Sequence, residues 1–287
     1  MRGELVNEHV ANENRSQEWD CTDRQNPIRH ALVSQDRLLY HPLMDPLMAE
    51  FVGTALLVLL GNGVVANVVL KDTKGHAGGW IVITAGWGLA VYVAVVCVGE
   101  FSGAHINPAV SLGLALAGKF PWSSFPLFVA AQMAGGLLGS VLVYLFYKVH
   151  YDATDDADAK LATFCTAPAI RSTTANLFGE VLGTFVLVFT VLLFAEPTLE
   201  AGELSGAVGL GALGALPVGL LVVSIGLSLG GTTGYAINPA RDLSPRIAHA
   251  VLPISNKRDS DWNYAWIPVF GPMFGGAIAA VIYTVLA

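Results

Sequence analysis

Two Asn-Pro-Ala triplets, Asn107–Ala109 and Asn238–Ala240, carry side chains suited to binding a small polar molecule. Asn is a strong N-cap and Pro is favoured at the first helical position, so each triplet predicts the start of a helix. An Asn that caps its helix through the side-chain oxygen can point its NH2 group elsewhere. Two such donors, backed by two positive helix ends, would bind the oxygen of a water or hydroxyl group. Ordinary N-capping is the alternative.

The composition places these triplets in a membrane protein. Of 287 residues, 54% are hydrophobic and 13% charged, with a mean hydropathy of +0.57. The formal net charge of −7 argues against a nucleic-acid partner. Apolar segments of spanning length lie at 47–70, 79–98, 122–147, 176–195, 207–229 and 264–287. The run from Asn107 to Gly118 is shorter, about 18 Å as a helix against a hydrocarbon core of roughly 30 Å, which predicts a half-helix.

The chain also repeats itself. Glu50 and Glu180 stand in similar segments 130 residues apart, and the two Asn-Pro-Ala triplets are 131 residues apart. Each repeat, at about 46–150 and 172–287, holds three spans, an odd number, so the second must be inverted relative to the first. An inverted repeat with a half-helix in each unit predicts a functional site between the units, near the bilayer midplane.

The remaining segments predict supporting roles. Residues 1–45 are polar and are expected to form a disordered cytoplasmic tail, and 46–287 the membrane domain. The stretch 148–172 holds four aspartates without the Gly and Glu of a calcium loop, and predicts a solvated acidic loop. The three cysteines lack metal-ligand spacing, so we expect no metal or cofactor. Helix packing is predicted at three pairs of glycines: Gly135 and Gly139, Gly226 and Gly230, and Gly271 and Gly275.

Six spans, two Asn-Pro-Ala half-helices and the duplicated glutamate resemble the aquaporin (major intrinsic protein) family over about residues 46–287. The resemblance implies an all-α membrane fold of six transmembrane helices plus two half-helices that meet at the midplane. It also implies one pore per subunit, a homotetramer in the lipid bilayer, and both termini in the cytoplasm. The cell (plasma or inner) membrane is the expected location.

Within that family the chain resembles the glycerol-facilitator branch. Asp242 follows Arg241, and Arg246 comes four residues later. Gly226 falls where water channels usually place a His, and Pro268 is followed by Val269 rather than by an aromatic residue. This resemblance implies a passive channel for glycerol and other small neutral solutes, with some water permeability. It also implies exclusion of ions and protons, and no enzyme activity.

The resemblance also assigns residues to sites. The selectivity filter would consist of Trp87, Gly226, Tyr235 and Arg241. Tyr235 departs from the Phe of similar facilitators, and its hydroxyl is expected to add polarity and bulk. The central pore would consist of both triplets and His105, that is, His105, Asn107, Pro108, Ala109, Asn238, Pro239 and Ala240. Loop support would come from Glu50 and Glu180, while Asp242 most simply forms an i,i+4 pair with Arg246.

Several alternatives stay open. His105 could line the pore or simply be packed, Arg241 could sit in a structural salt bridge, and Trp87 could be core. A channel that conducts mainly water is the nearest functional alternative. An ion-coupled secondary transporter of small polyols would need carboxylates at mid-membrane, and Glu50 and Glu180 near span starts are poor candidates. A membrane enzyme is disfavoured because the spans carry no catalytic or metal-ligand constellation.

Overall fold

The computed structural model describes residues 44–195, 198–201 and 204–286. Within them, six helices are long and apolar enough to cross a membrane. The predicted tail lies outside the described residues, except for its last positions. Asp45 is the N-cap of the first helix and accepts hydrogen bonds from the amides of Leu47 and Met48. The predicted boundary between tail and membrane domain therefore coincides with a helix start.

The spanning helices follow the predicted order. They are α1 (Pro46–Val69), α2 (Trp80–Ser102), α4 (Phe125–Phe146), α7 (Thr173–Leu193), α8 (Leu216–Leu229) and α11 (Ile267–Leu286). A 3₁₀ turn at Gly211–Ala215 precedes α8, and the one-turn helix α10 (Trp262–Ala265) precedes α11. The fifth span begins later than predicted because Thr198–Ala201 and Leu204–Ala207 pair as a two-stranded antiparallel ribbon, β1 and β2.

Both predicted half-helices are present. The first, α3, spans Pro108–Leu116 and has 9 residues, and the second, α9, spans Pro239–Val251 and has 13. A helix of 13 residues is about 20 Å long, so neither can cross the hydrocarbon core by itself. Each begins with an Asn at the N-cap and a Pro at the first position, as predicted.

The stretch 148–172 is more ordered than a solvated loop. It contains two short helices, α5 (Lys148–Ala153) and α6 (Ala157–Ala162), and buries apolar side chains of Tyr151, Leu161 and Phe164. The prediction of a solvated acidic segment is correct for its four aspartates, which are exposed. It is wrong for the rest, because aromatic and aliphatic residues between the aspartates pack into a second apolar core.

Glycines let the spanning helices approach at backbone distance. A Cβ added at Gly135 or Gly139 of α4 would lie 2.2 Å or 2.5 Å from a carbonyl oxygen of α1. In the second repeat, a Cβ at Gly275 of α11 would lie 2.3 Å from the carbonyl oxygen of Val181 in α7. The predicted packing role is therefore confirmed for these residues, since only a glycine fits such approaches.

A single methyl group at one of these contacts should destabilise the protein. Gly139→Ala would place its Cβ 2.5 Å from the carbonyl oxygen of Ala55, so the two helices must separate. We expect a loss of about 1–3 kcal/mol, as for other overpacked sites. The measurement is the thermal midpoint of the detergent-solubilised protein, followed by size-exclusion chromatography. Gly63→Ala is the control, since no atom lies within 4 Å of its added Cβ; equal midpoints for both variants would contradict the expectation.

Candidate functional site

Two buried glutamates hold the loops that precede the half-helices. Glu50 in α1 accepts hydrogen bonds from the amides of His105 (2.9 Å) and Ile106 (2.7 Å). Glu180 in α7 accepts them from the amides of Ala236 (3.0 Å) and Ile237 (2.9 Å). Both carboxylates are 0% exposed. Backbone amides that leave regular structure inside a membrane need acceptors, and these side chains supply them.

The same loops adopt an unusual backbone in both repeats. Positive φ angles occur at Ala104 and Ile106 (49° and 43°), and again at Tyr235 and Ile237 (38° and 43°). A β-branched residue in this region is strained, and such conformations persist only where surrounding contacts determine them. The two glutamates provide contacts of this kind, because each binds the amide of its strained isoleucine.

The two triplet asparagines join the halves of the molecule. Asn107 donates from Nδ2 to the carbonyl oxygen of Ile237, and Asn238 donates to that of Ile106, both at 2.8 Å. Each Oδ1 caps its own helix by accepting from the amide of Ala109 or Ala240, at 2.9 Å. One hydrogen of each NH2 group is thus used across the interface. The other is left for a ligand, since an amide nitrogen carries two.

The other residues assigned to the central pore divide into two groups. Pro108, Ala109, Pro239 and Ala240 are buried and build the helix starts, but they do not line the cavity. His105 does line it, and its Nδ1 lies 2.9 Å from the hydroxyl of Ser111. Its ring also packs against two phenylalanines. The two alternatives for His105, lining and packing, therefore hold together.

A cavity of about 260 Å³ passes between the two repeats. Both triplet asparagines line it, together with apolar side chains such as Leu187 and Val191. A second cavity of about 230 Å³ lies under the 148–172 segment, with Thr166 and Ala167 in its wall. The two cavities have three lining residues in common, namely Trp87, Tyr235 and Arg241. These three side chains therefore form the boundary between the cavities.

Arg241 lies against an aromatic face at this boundary. Its Cζ is 4.1 Å from the centroid of the Trp87 ring, and the residue is 7% exposed. Among the described residues no carboxylate pairs with it, and its buried Nη1 has no hydrogen-bond partner. The salt-bridge alternative is thus not what the described residues form. Nη1 itself is enclosed. Nε and Nη2 also make no hydrogen bond to the described residues, and they are the N–H groups available to an acceptor oxygen from a ligand.

Gly226 and Tyr235 occupy different layers of the predicted filter. A Cβ added at Gly226 would lie 2.8 Å from Cζ of Tyr235 and 3.0 Å from its hydroxyl oxygen. Gly226 lines neither cavity, because the Tyr235 ring covers it. The Tyr235 hydroxyl is buried, with no partner among the described residues. The expectation that this hydroxyl adds polarity to the filter is therefore corrected, since the hydroxyl is enclosed. The expectation that it adds bulk stays a prediction.

Asp242 and Arg246 form the predicted pair and much more. Arg246 Nη2 lies 2.8 Å from Asp242 Oδ1, and both side chains are 0% exposed. Asp242 also accepts from the amide and the hydroxyl of Thr166, each at 2.7 Å. Arg246 donates further to three carbonyl oxygens, including that of Ser260 at 2.7 Å. The pair therefore joins α9 to the 148–172 segment and to the loop that follows α9.

Two residues at this site were missed by the sequence analysis. Thr166 anchors Asp242 from a segment that its polar composition placed in solvent. Trp80 begins α2, and its Nε1 donates to the carbonyl oxygen of Gly226 at 2.9 Å. A Trp at a helix end resembles any interfacial aromatic residue, so no local signal marked it.

Comparisons with known proteins agree with this geometry. The profile of the Major intrinsic protein family matches residues 40–283. A "Probable glycerol uptake facilitator protein" of Thermotoga maritima is 57% identical over 240 residues, covering 84% of this chain and 98% of the relative. A "Glycerol uptake facilitator protein" of Streptococcus pneumoniae is 54% identical over 242 residues, covering 84% and 99%.

A solved structure of a related protein has the same fold. The X-ray structure of the aquaglyceroporin from Plasmodium falciparum superposes with a TM-score of 0.70 at 31% identity, covering 83% of this chain and 94% of that one. The predicted fold class, an aquaporin-like inverted repeat in an integral membrane protein, is confirmed. Members of this family are channels rather than enzymes. With its doubled half-helices, its shared cavity boundary and these relatives, the chain belongs to the major intrinsic protein family.

Proposed function

We propose that this protein is a passive transmembrane channel for glycerol and other small neutral solutes, with some water permeability. The observation that carries the proposal is the boundary of Trp87, Tyr235 and Arg241 between two cavities. Relatives that are more than 50% identical are named glycerol uptake facilitators, which supports the same substrate class.

The boundary suits a polyol along its length. Glycerol has a carbon backbone on one side and hydroxyl groups on the other. The carbon side would pack on the rings of Trp87 and Tyr235, while the hydroxyl oxygens would accept from Nε and Nη2 of Arg241, which lines both cavities. Further along, the side chains of the walls are apolar except for those of His105, Asn107 and Asn238. A solute would therefore be held at few points, as rapid passage requires.

Ion exclusion follows from the charges at these points. Arg241 carries a positive charge that no described carboxylate neutralises, and it repels cations at the boundary. The N-terminal ends of α3 and α9 add positive potential at the asparagines. A water held by two amide donors cannot accept from its neighbours, which would interrupt a proton wire.

We also propose the finer features that the family resemblance implies. These are a homotetramer, both termini in the cytoplasm, and location in the plasma or inner membrane. Large apolar side chains exposed along the spans, among them Leu89, Phe178 and Phe274, suit contact with lipid or with neighbouring subunits. We further propose that Glu50, Glu180 and Asp242 support the loops, on the hydrogen bonds described above.

The direct test is stopped-flow light scattering on proteoliposomes, with glycerol and sucrose gradients run side by side. We expect glycerol to re-swell the vesicles much faster than it re-swells empty liposomes. Fast water flux with glycerol no faster than in empty liposomes would contradict the proposal and favour a water channel. Uptake that depends on a proton or sodium gradient would instead favour a coupled transporter.

Arg241→Ala should weaken the exclusion of larger solutes and of cations at the boundary. The substitution removes a bulky cation stacked on Trp87, so the opening widens and its positive charge is lost. We expect the flux of a five-carbon polyol relative to glycerol to rise roughly tenfold, and a cation leak to appear. The measurements are vesicle swelling and a potential-sensitive dye. Arg258→Ala is the control, since Arg258 lies on the exposed surface; unchanged selectivity in an assembled Arg241→Ala would contradict the filter role.

Arg246→Met should destabilise the protein far more than Arg258→Met. Removing Arg246 leaves the carboxylate of Asp242 buried without its cation, which typically costs about 3–5 kcal/mol. Arg258 pairs with the exposed Asp158, a kind of contact worth under about 1 kcal/mol. The measurement is the thermal midpoint of each purified variant. Similar midpoints would show that the buried pair does not hold α9 in place.

A further inference from the structure

The pair Gly226 and Gly230 seats the ring of Tyr235 as well as lying against a neighbouring helix. A Cβ added at Gly230 would lie 2.4 Å from Cδ1 of Tyr235 and 2.9 Å from Cζ2 of Trp80. One added at Gly226 would meet the far end of the same ring and Cγ2 of Thr84, at 2.8 Å and 2.9 Å. Trp80 and Thr84 both belong to α2, so the pair lies at the predicted helix contact and also makes room for the ring.

The backbone does not explain the glycine at position 230. Its φ of −77° and ψ of −18° lie in the right-handed helical region, which every residue adopts readily. Gly230 is therefore required for space alone. An added methyl would also approach the carbonyl oxygen of Gly226 at 2.6 Å, and that carbonyl is held in α8.

The wall behind Tyr235 cannot retreat either. Trp80 packs edge-on against the Tyr235 ring, with the ring centroids 5.8 Å apart. Its Nε1 is fixed by the hydrogen bond to the carbonyl oxygen of Gly226. The open side of the Tyr235 ring is the one that faces the cavities. Because the ring is packed on its other sides, we expect an atom added to the seat to push it toward this open side, which it shares with Arg241 and Trp87.

We propose that Gly230 and Trp80 are positioning residues for Tyr235. They set the width of the opening at the boundary of Trp87, Tyr235 and Arg241 by fixing how far the Tyr235 ring extends into it. Gly230 lines neither cavity, and Trp80 lines only the second one, with its Nε1 already donating to the carbonyl oxygen of Gly226. The inference rests on the proposed function, because it concerns the opening through which the solute passes. It makes the largest solute that can pass depend on residues packed behind the Tyr235 ring.

Gly230→Ala tests the proposal through the ratio of glycerol to water permeability in the same proteoliposomes. We expect glycerol permeability to fall about tenfold and water permeability to fall much less, because the narrowed opening rejects the larger solute first. Gly231→Ala is the matched control one residue along, since its added Cβ has no atom within 4 Å. An assembled Gly230→Ala with the wild-type ratio would overturn the inference.

Two further variants separate a pushed ring from a damaged fold. Tyr235→Ala removes the whole ring, and with it the Cδ1 atom that the added methyl would meet. Gly230→Ala should therefore lower the ratio of glycerol to water permeability in the wild-type background but not in Tyr235→Ala. Trp80→Phe removes the Nε1 hydrogen bond to Gly226 and replaces the indole behind Tyr235 with a smaller ring. It should let the ring move back and raise the flux of a four-carbon polyol relative to glycerol.

The inference would be overturned if Gly230→Ala lowered the ratio of glycerol to water permeability equally in both backgrounds. It would also be overturned if Trp80→Phe kept the wild-type flux of the four-carbon polyol relative to glycerol. Trp80→Phe decides the question by itself if Gly230→Ala does not assemble. The wild-type glycerol flux tests the proposed function separately. Fast wild-type glycerol flux with unchanged ratios in these variants would reject the positioning role alone.

Discussion

Each half of this channel depends on one buried carboxylate that binds the backbone of a loop. Inside hydrocarbon every backbone N–H needs an acceptor, and a loop that leaves helical geometry loses its internal partners. Glu50 and Glu180 each accept from two consecutive amides, and thereby fix residues with strained positive φ angles. Without them, the half-helix starts that carry Asn107 and Asn238 would have no defined position in the membrane.

The duplicated scaffold then carries different chemistry in its two halves. Val110 stands in the first repeat where Arg241 stands in the second, at the same offset as the triplets. The first half surrounds Glu50 with the neutral donors of Ser102 and Gln132. The second half holds a buried ion pair beside its unpaired arginine. The features shared by the two repeats thus bring the half-helix starts together. The residue that differs between them, Arg241 in place of Val110, makes one end of the cavity polar.

The sequence alone predicts the scaffold because its signals are local or repeated. Spans show as apolar runs, and half-helix starts show as Asn-Pro. The duplication shows as two nearly equal offsets, and the odd number of spans in each repeat indicates that the halves are inverted. The arrangement around Tyr235 was not predictable in this way, since it depends on contacts between distant residues. The Trp80 to Gly226 bond joins residues 146 positions apart, and Thr166 meets Asp242 across 76. The same spacing of two glycines occurs at Gly135 and Gly139, where it only brings two helices together, and at Gly226 and Gly230, where it also makes room for a ring. The spacing itself cannot distinguish these roles.

The second half-helix also explains how a cation is tolerated near its start. Arg241 lies in the first turn of α9, where a positive charge opposes the helix dipole. At the other end, Lys257 donates from Nζ to the carbonyl oxygens of His249, Ala250 and Leu252, at 2.5–2.8 Å. A cation on the last carbonyls is favourable by about 0.3–1 kcal/mol, which partly offsets the unfavourable one. The unfavourable position of Arg241 is therefore offset in the stability of α9 as a whole, by Asp242 in its first turn and by Lys257 on its last carbonyl groups.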